Sequence, residues 1–115
     1  MVKIKYSKRF LSDSIRLKRK NPKIDKDIKD LENKLINQHK GNLLQGFGDL
    51  KIFKIRQKNS SSNVGSSGGF RIIYHHIEEN NLLITLTIYS KTNKENVCKS
   101  EILEILKGTI SIPNK

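Results

Sequence analysis

The chain has 115 residues, 23 Lys and Arg against 11 Asp and Glu, and a net charge of +12. That length closes one hydrophobic core, so residues 1–115 are expected to form a single domain, and the charge points to nucleic acid or an acidic protein as partner. One cysteine excludes an internal disulfide, and no apolar run reaches the length of a signal peptide or membrane span, so a reducing cytoplasm is the expected compartment.

Val2, Ile4 and Tyr6 alternate with Lys3 and Lys5, which predicts a half-buried strand, and Ser7 offers a side-chain oxygen to cap a helix. Phe10, Leu11, Ser14 and Ile15 mark one face of that helix, and Pro22 ends it by disfavouring helical geometry at Asn21. Pro22 then opens a second helix with Asn21 as its cap. Ile24, Ile28, Leu31 and Leu35 form the apolar stripe of this helix and Gly41 its stop. The two helices make an antiparallel hairpin whose stripes need a surface to cover.

Gly46 and Gly48 around Phe47 predict a turn returning the chain to a sheet. Lys51 to Gln57 reads as a strand with Phe53 and Ile55 on one face and Lys54 and Arg56 on the other. Residues 59–69, NSSSNVGSSGG, have little to bury and predict a mobile hairpin loop. Phe70 to Ile77 and Leu82 to Ser90 are strands joined by the polar turn EENN, the second apolar on both faces and therefore expected inside the sheet. After a polar loop at Lys91 to Lys94, Val97, Cys98, Ile102, Ile105 and Leu106 recur at helical spacing before Gly108. The expected fold is α+β: a curved, mainly antiparallel sheet of about four strands packed against an N-terminal helical hairpin, with a short C-terminal helix.

No Cys pair, HExxH or Gly-rich loop leading into a helix is present, so no metal or other cofactor is expected. GSSGG joins two strands and offers no helix N-terminus to an anion. What remains is a set of cations. If Phe70, Ile72 and Tyr74 face the helices, Arg71 faces the open side, as do Lys54 and Arg56, with Lys91 at the end of the last strand. Fixed cations of this kind can hold an RNA phosphate and stabilise five-coordinate phosphorus while the adjacent 2′-hydroxyl attacks. Two kinds of group are candidates for the base: His75, which shares the parity of Arg71, and a lysine of the cluster, where neighbouring positive charge favours the neutral amine. Lys51, Lys58 and Lys94 flank the cluster and are expected to contact RNA. Cys98 falls in an apolar stripe and reads as a packing residue.

FKIR, SSGGFRIIY, LLITLTIYSK and the short helix after them, preceded by RLKRKNPKIDKDIKDLENKL, resemble in order and spacing the RelE/ParE superfamily of toxins, especially its HigB-like branch with a KxR strand and a GGxRxxY strand. The resemblance covers nearly the whole chain. It implies a metal-independent endoribonuclease that cuts mRNA on the ribosome and is neutralised by a cognate antitoxin, the toxin being a monomer when free and part of a hetero-oligomer with its antitoxin. Carried over, Lys54, Arg56 and Arg71 match basic positions for RNA binding and phosphate stabilisation, and Lys91 matches the lysine after the last strand. Relatives often place an arginine after that lysine and a catalytic tyrosine in the final helix; here stand Thr92 and, near the tyrosine's place, Cys98. A ParE-like inhibitor of DNA gyrase and a catalytically weakened basic binding protein are the alternatives on the same scaffold.

Overall fold

The computed structural model describes residues 2–62, 68–92 and 96–110. The centre of the Ser/Gly loop, the end of the polar loop with Lys94, and the C-terminal tail lie outside the described residues. The chain runs β1 (Lys3–Tyr6), α1 (Lys8–Lys18), α2 (Ile24–Ile36), β2 (Asn42–Leu43), β3 (Lys51–Gln57), β4 (Phe70–Ile77), β5 (Leu82–Ser90) and α3 (Lys99–Ile110). The strands form one sheet in the order β1-β5-β4-β3-β2. Among the described residues only β1 and β5 pair in parallel, and the other strand pairs are antiparallel. The expected α+β architecture is therefore present, with the two-residue β2 as an extra edge strand just before the glycine turn.

Alternation sorts the side chains to two faces. Phe53, Ile55, Phe70, Ile72, Tyr74, Leu83 and Ile88 pack against Phe10 of α1 and Ile24, Leu31 and Leu35 of α2. Ile52, Ile73, Leu86 and Tyr89 pack against Val97, Ile102, Ile105 and Leu106, so α3 covers much of the opposite face. A bulge lies where the β4 and β5 registers shift at Ile73 and Tyr74. Thr87 and Ile88 both serve the helical-hairpin side there, Ile88 in its core and Thr87 through its hydroxyl bond to Asp13 of α1.

Ser7 caps α1 as expected: its Oγ accepts the Phe10 N–H at 3.0 Å and donates to the Leu86 carbonyl at 2.8 Å. The buried face of α1 differs from the expected one, because Leu11 and Ile15 are 48% and 73% exposed while Asp13 is 1% exposed. Asp13 is held by Arg9 and Arg16, each at 3.1 Å, and by Thr87, which makes a charged side chain the anchor of this helix. Arg9 also reaches Glu101 of α3 at 2.9 Å and so ties α1 to α3.

The second helix starts two residues later than expected, at Ile24, because the Asn21 carbonyl closes a turn onto the Ile24 N–H and leaves Pro22 in that turn. It also stops before Gly41. Gln38 takes a left-handed φ of 67° while the His39 N–H returns to the Lys34 carbonyl at 2.9 Å. Gly41 serves β3 instead, since a Cβ there would lie 2.3 Å from the Lys54 carbonyl oxygen. Gly108 likewise fails to end α3, which runs through it to Ile110.

Candidate functional site: a cationic row at one end of the sheet

Register brings the basic residues of different strands into line. Arg56 of β3 pairs with Arg71 of β4, and Arg71 pairs with Tyr89 of β5, giving a row of three side chains on the α3 side of the sheet. Lys54 lies two residues from Arg56 on the same face and pairs with Ile73. The ladder continues past the strand ends, where the Lys91 N–H donates to the Gly69 carbonyl at 3.0 Å. Parity places Lys58 with Arg56 and Lys91 with Tyr89, so Lys54, Arg56, Lys58, Arg71 and Lys91 occupy one end of one face.

This face is not the open surface that the sequence suggests. Its apolar residues Ile52, Ile73 and Leu86 bind α3, and Arg71 at the border of that core is only 6% exposed. Its Nη1 donates to the Phe70 carbonyl at 3.3 Å. Burial, and after it the Arg56 cation, lower the pKa of Arg71, while Tyr89 pulls the other way. A guanidinium stays charged under any such shift, so the site keeps a partly desolvated cation with planar donors, suited to a phosphate held by two oxygens.

Arg56 and Lys58 are exposed, and Lys54 and Lys91 are half-buried. His75 shares the face of Arg71 but pairs with Ile52 and Ile84, four residues and roughly 13 Å along β4. The Lys54–Ile73 row stands between His75 and the Arg56–Arg71 row, so His75 is not brought beside Arg71, and the cation one row from it is Lys54. Burial, then neighbouring His76, lower its pKa against the opposite pull of Glu79. Lys51 shares the parity of Phe53 and Ile55 and so points to the other side of the sheet.

Cys98 is exposed and not part of the apolar core. It precedes α3, its carbonyl accepts the Ile102 N–H at 3.2 Å, and its Sγ lies 3.2 Å from Ser100 Oγ. The Ser100 hydroxyl, then the backbone N–H at Glu101, lower the pKa of the thiol. Thr92 pairs with Ser90 through its hydroxyl at 2.9 Å. Among the described residues no group of three His, Cys, Asp or Glu is placed to hold a metal, and no helix is long and apolar enough to cross a membrane.

Two features were not read from the sequence. Tyr89 stands in a strand whose pattern is apolar on both faces, which hides it among core residues, yet its cross-strand partner is Arg71. Lys34, His39 and Lys40 join Lys54 and Arg56 around a groove of about 260 Å³ with no acidic side chain in its lining. Lys34 is fixed there by the Arg56 carbonyl at 3.1 Å and Gln57 Oε1 at 3.0 Å. A cluster of Lys and His after α2 was the available sequence signal; its approach to β3 follows from the turn at Gln38.

No family model matches the sequence. Among solved structures, the chain is similar to an arginine-to-alanine mutant of the E. coli toxin RelE in the free state, with TM-score 0.57 and 19% identity over 90% of this chain and 95% of that one. It is also similar to the isolated E. coli RelE toxin, with TM-score 0.55 and 19% identity over 96% of this chain and 99% of that one. At this identity the likeness is one of fold: the chain has the RelE architecture.

Proposed function

We propose that this chain, on its RelE-like fold, is the toxin of a toxin-antitoxin pair and acts as a ribosome-dependent endoribonuclease of the HigB-like branch. The observation that carries the reading is the Arg56–Arg71 row, bordered by Lys54, Lys58 and Lys91 at one end of one sheet face. In the proposed step the 2′-oxygen of a nucleotide attacks its own 3′-phosphate, and the bond from phosphorus to the 5′-oxygen of the next nucleotide breaks. A 2′,3′-cyclic phosphate and a 5′-hydroxyl remain. Arg71 and Arg56 hold the non-bridging oxygens as charge builds on phosphorus; removing one such stabiliser typically costs about 3 kcal/mol of activation free energy. The proton leaving the 2′-oxygen and the one taken up by the 5′-oxygen pass through groups bordering the row, among which Lys54 and Lys91 are candidates. A cognate antitoxin of acidic or amphipathic character covers the basic face and restrains the activity.

The test is induction in cells with mapping of RNA ends, comparing the parent chain with Arg71→Ala. The expected result is growth arrest with new mRNA ends for the parent and relief for a folded variant. Equal toxicity of a folded Arg71→Ala protein overturns the reading, and arrest of DNA supercoiling before translation moves it to gyrase.

A further inference from the structure

Tyr89 ends the cationic row, and the proposed reaction leaves its hydroxyl without a task. The side chain is 5% exposed, and its hydroxyl is buried with no hydrogen-bond partner among the described residues. Tyr74 shows how this fold treats a structural tyrosine on the same sheet: it is also buried, and its hydroxyl accepts the Gly41 N–H at 3.1 Å. Tyr6 shares the lack of a partner, but its strand partner is Thr85 and its ring lies against Phe10, with no cation paired to it. Tyr89 instead pairs directly with Arg71. Burial raises its pKa, which keeps the phenol neutral, while the Arg71 cation pulls the other way.

A buried hydroxyl without a partner is destabilising, and a phenylalanine would pack the same space without it. The guanidinium beside it has five N–H donors, and the bond to the Phe70 carbonyl, at 3.3 Å, is a long one. Apolar neighbours of Tyr89, such as Leu86 and Val97, provide no side-chain acceptor. We propose that Tyr89 is a positioning residue for Arg71: when Arg71 turns onto a bound phosphate, the Tyr89 hydroxyl accepts one guanidinium N–H and fixes the direction of the donors that face the phosphate. The substrate does not touch Tyr89, whose oxygen lies beneath the surface. The inference rests on the reading that this row holds an RNA phosphate.

The experiment compares the full-length parent with Tyr89→Phe in three measurements. Thermal unfolding reports stability, ribosome-dependent mRNA cleavage reports function, and the Arg71 Nε–H resonance is followed during titration with inorganic phosphate. Positioning predicts that Tyr89→Phe unfolds at the same or a higher temperature, loses about tenfold or more in the cleavage rate at saturating substrate with little change in KM, and loses the phosphate-induced shift and sharpening of the Arg71 resonance. A purely structural tyrosine predicts unchanged cleavage and an unchanged titration. Either that result, or a loss of cleavage that merely follows a lower unfolding temperature, overturns the proposal. A parent chain that binds phosphate through Arg71 and cuts no RNA refutes the nuclease reading while the titration still decides the role of Tyr89. A parent whose Arg71 resonance ignores phosphate overturns both.

Discussion

Both carboxylate oxygens of Asp27, a residue 1% exposed on α2, are taken by Ser60, one by the backbone N–H at 2.9 Å and the other by the hydroxyl at 2.5 Å. The stem of the β3–β4 loop is thereby docked on the helical hairpin. Asn59 adds a bond from its amide to Asn21 Oδ1 at 2.7 Å, and Ser61 Oγ accepts the Lys23 N–H at 2.9 Å. The result is a loop stem that leaves the cationic end of the sheet in a fixed direction.

Asp27→Ala removes the acceptor and leaves the Ser60 N–H with water or nothing, at an expected cost of about 2 kcal/mol. Urea unfolding measures the cost, and hydrogen exchange at 59–62 should accelerate while the β5 amides keep their protection. Unchanged exchange at the stem would show that Asp27 does not hold it.

The second buried carboxylate anchors α1. Asp13 receives Arg9, Arg16 and the Thr87 hydroxyl from β5, so Asp13→Ala strands Thr87 in the core and removes the acid that both arginines approach. The arginines left behind reach solvent, so the expected cost is that of the stranded hydroxyl and the lost charged bonds, about 1–3 kcal/mol. Thr87→Val removes one bond from the cluster and is expected to cost less. A cycle of the two variants in urea should show coupling; strict additivity would mean the bond contributes nothing.

Gly69 is a close-approach position, because a Cβ there would sit 2.4 Å from the Gln57 carbonyl oxygen and 3.0 Å from the Asn59 nitrogen. Gly69→Ala must therefore push β3 from β4 where the ladder reaches Lys58 and Lys91. Overpacking of this kind costs about 1–3 kcal/mol. A crystal structure of the variant with the strands undisplaced would remove the argument.

The sheet was legible because β3, β4 and β5 carry alternation strong enough to fix which side chains share a face, and Arg56 and Arg71 follow from it. What was hidden depends on distance along the chain. Whether a face is open or covered depended on α3, whose apolar side chains said only that they needed a surface, not that Ile52, Ile73 and Leu86 would supply it. His75 matched Arg71 in parity, but parity alone does not say that they lie four residues apart on β4 with the Lys54–Ile73 row between them. On α1 the sequence favoured Leu11 and Ile15 over Asp13, because hydrophobic patterning does not anticipate a carboxylate buried against two arginines and a threonine.

His75 sets a pH dependence whose sign follows from burial. Its pKa in the fold lies below the ordinary value of about 6.5, so the folded chain binds fewer protons than the unfolded chain as pH falls past that point. Its contribution is present above the unfolded pKa and is lost as pH falls through the folded one. Between about pH 7 and pH 5 the parent should lose stability more steeply than His75→Gln. Parallel curves from urea titrations at each pH would show that burial of His75 has no such effect.

If the cationic row holds one phosphate, the next needs somewhere to lie, and the groove shared by Lys54 and Arg56 with Lys34, His39 and Lys40 is continuous with the row. Its lining has no acid to compensate the charge, so a phosphate there releases counterions without breaking an ion pair within that lining. For single-stranded RNA each such contact contributes about 0.7 to the slope of log affinity against log salt. Lys40→Ala should flatten the slope by about that amount for an oligonucleotide with a 2′-deoxy residue at the cut, and should weaken binding alike for all sequences. Lys29→Ala, an exposed α2 lysine outside the groove lining, serves as the control and should leave the slope at the parent value. Equal slopes for the parent and Lys40→Ala would confine the RNA path to the α3 side of the sheet, whereas flattening by both variants would mean that the chain attracts RNA through its overall charge.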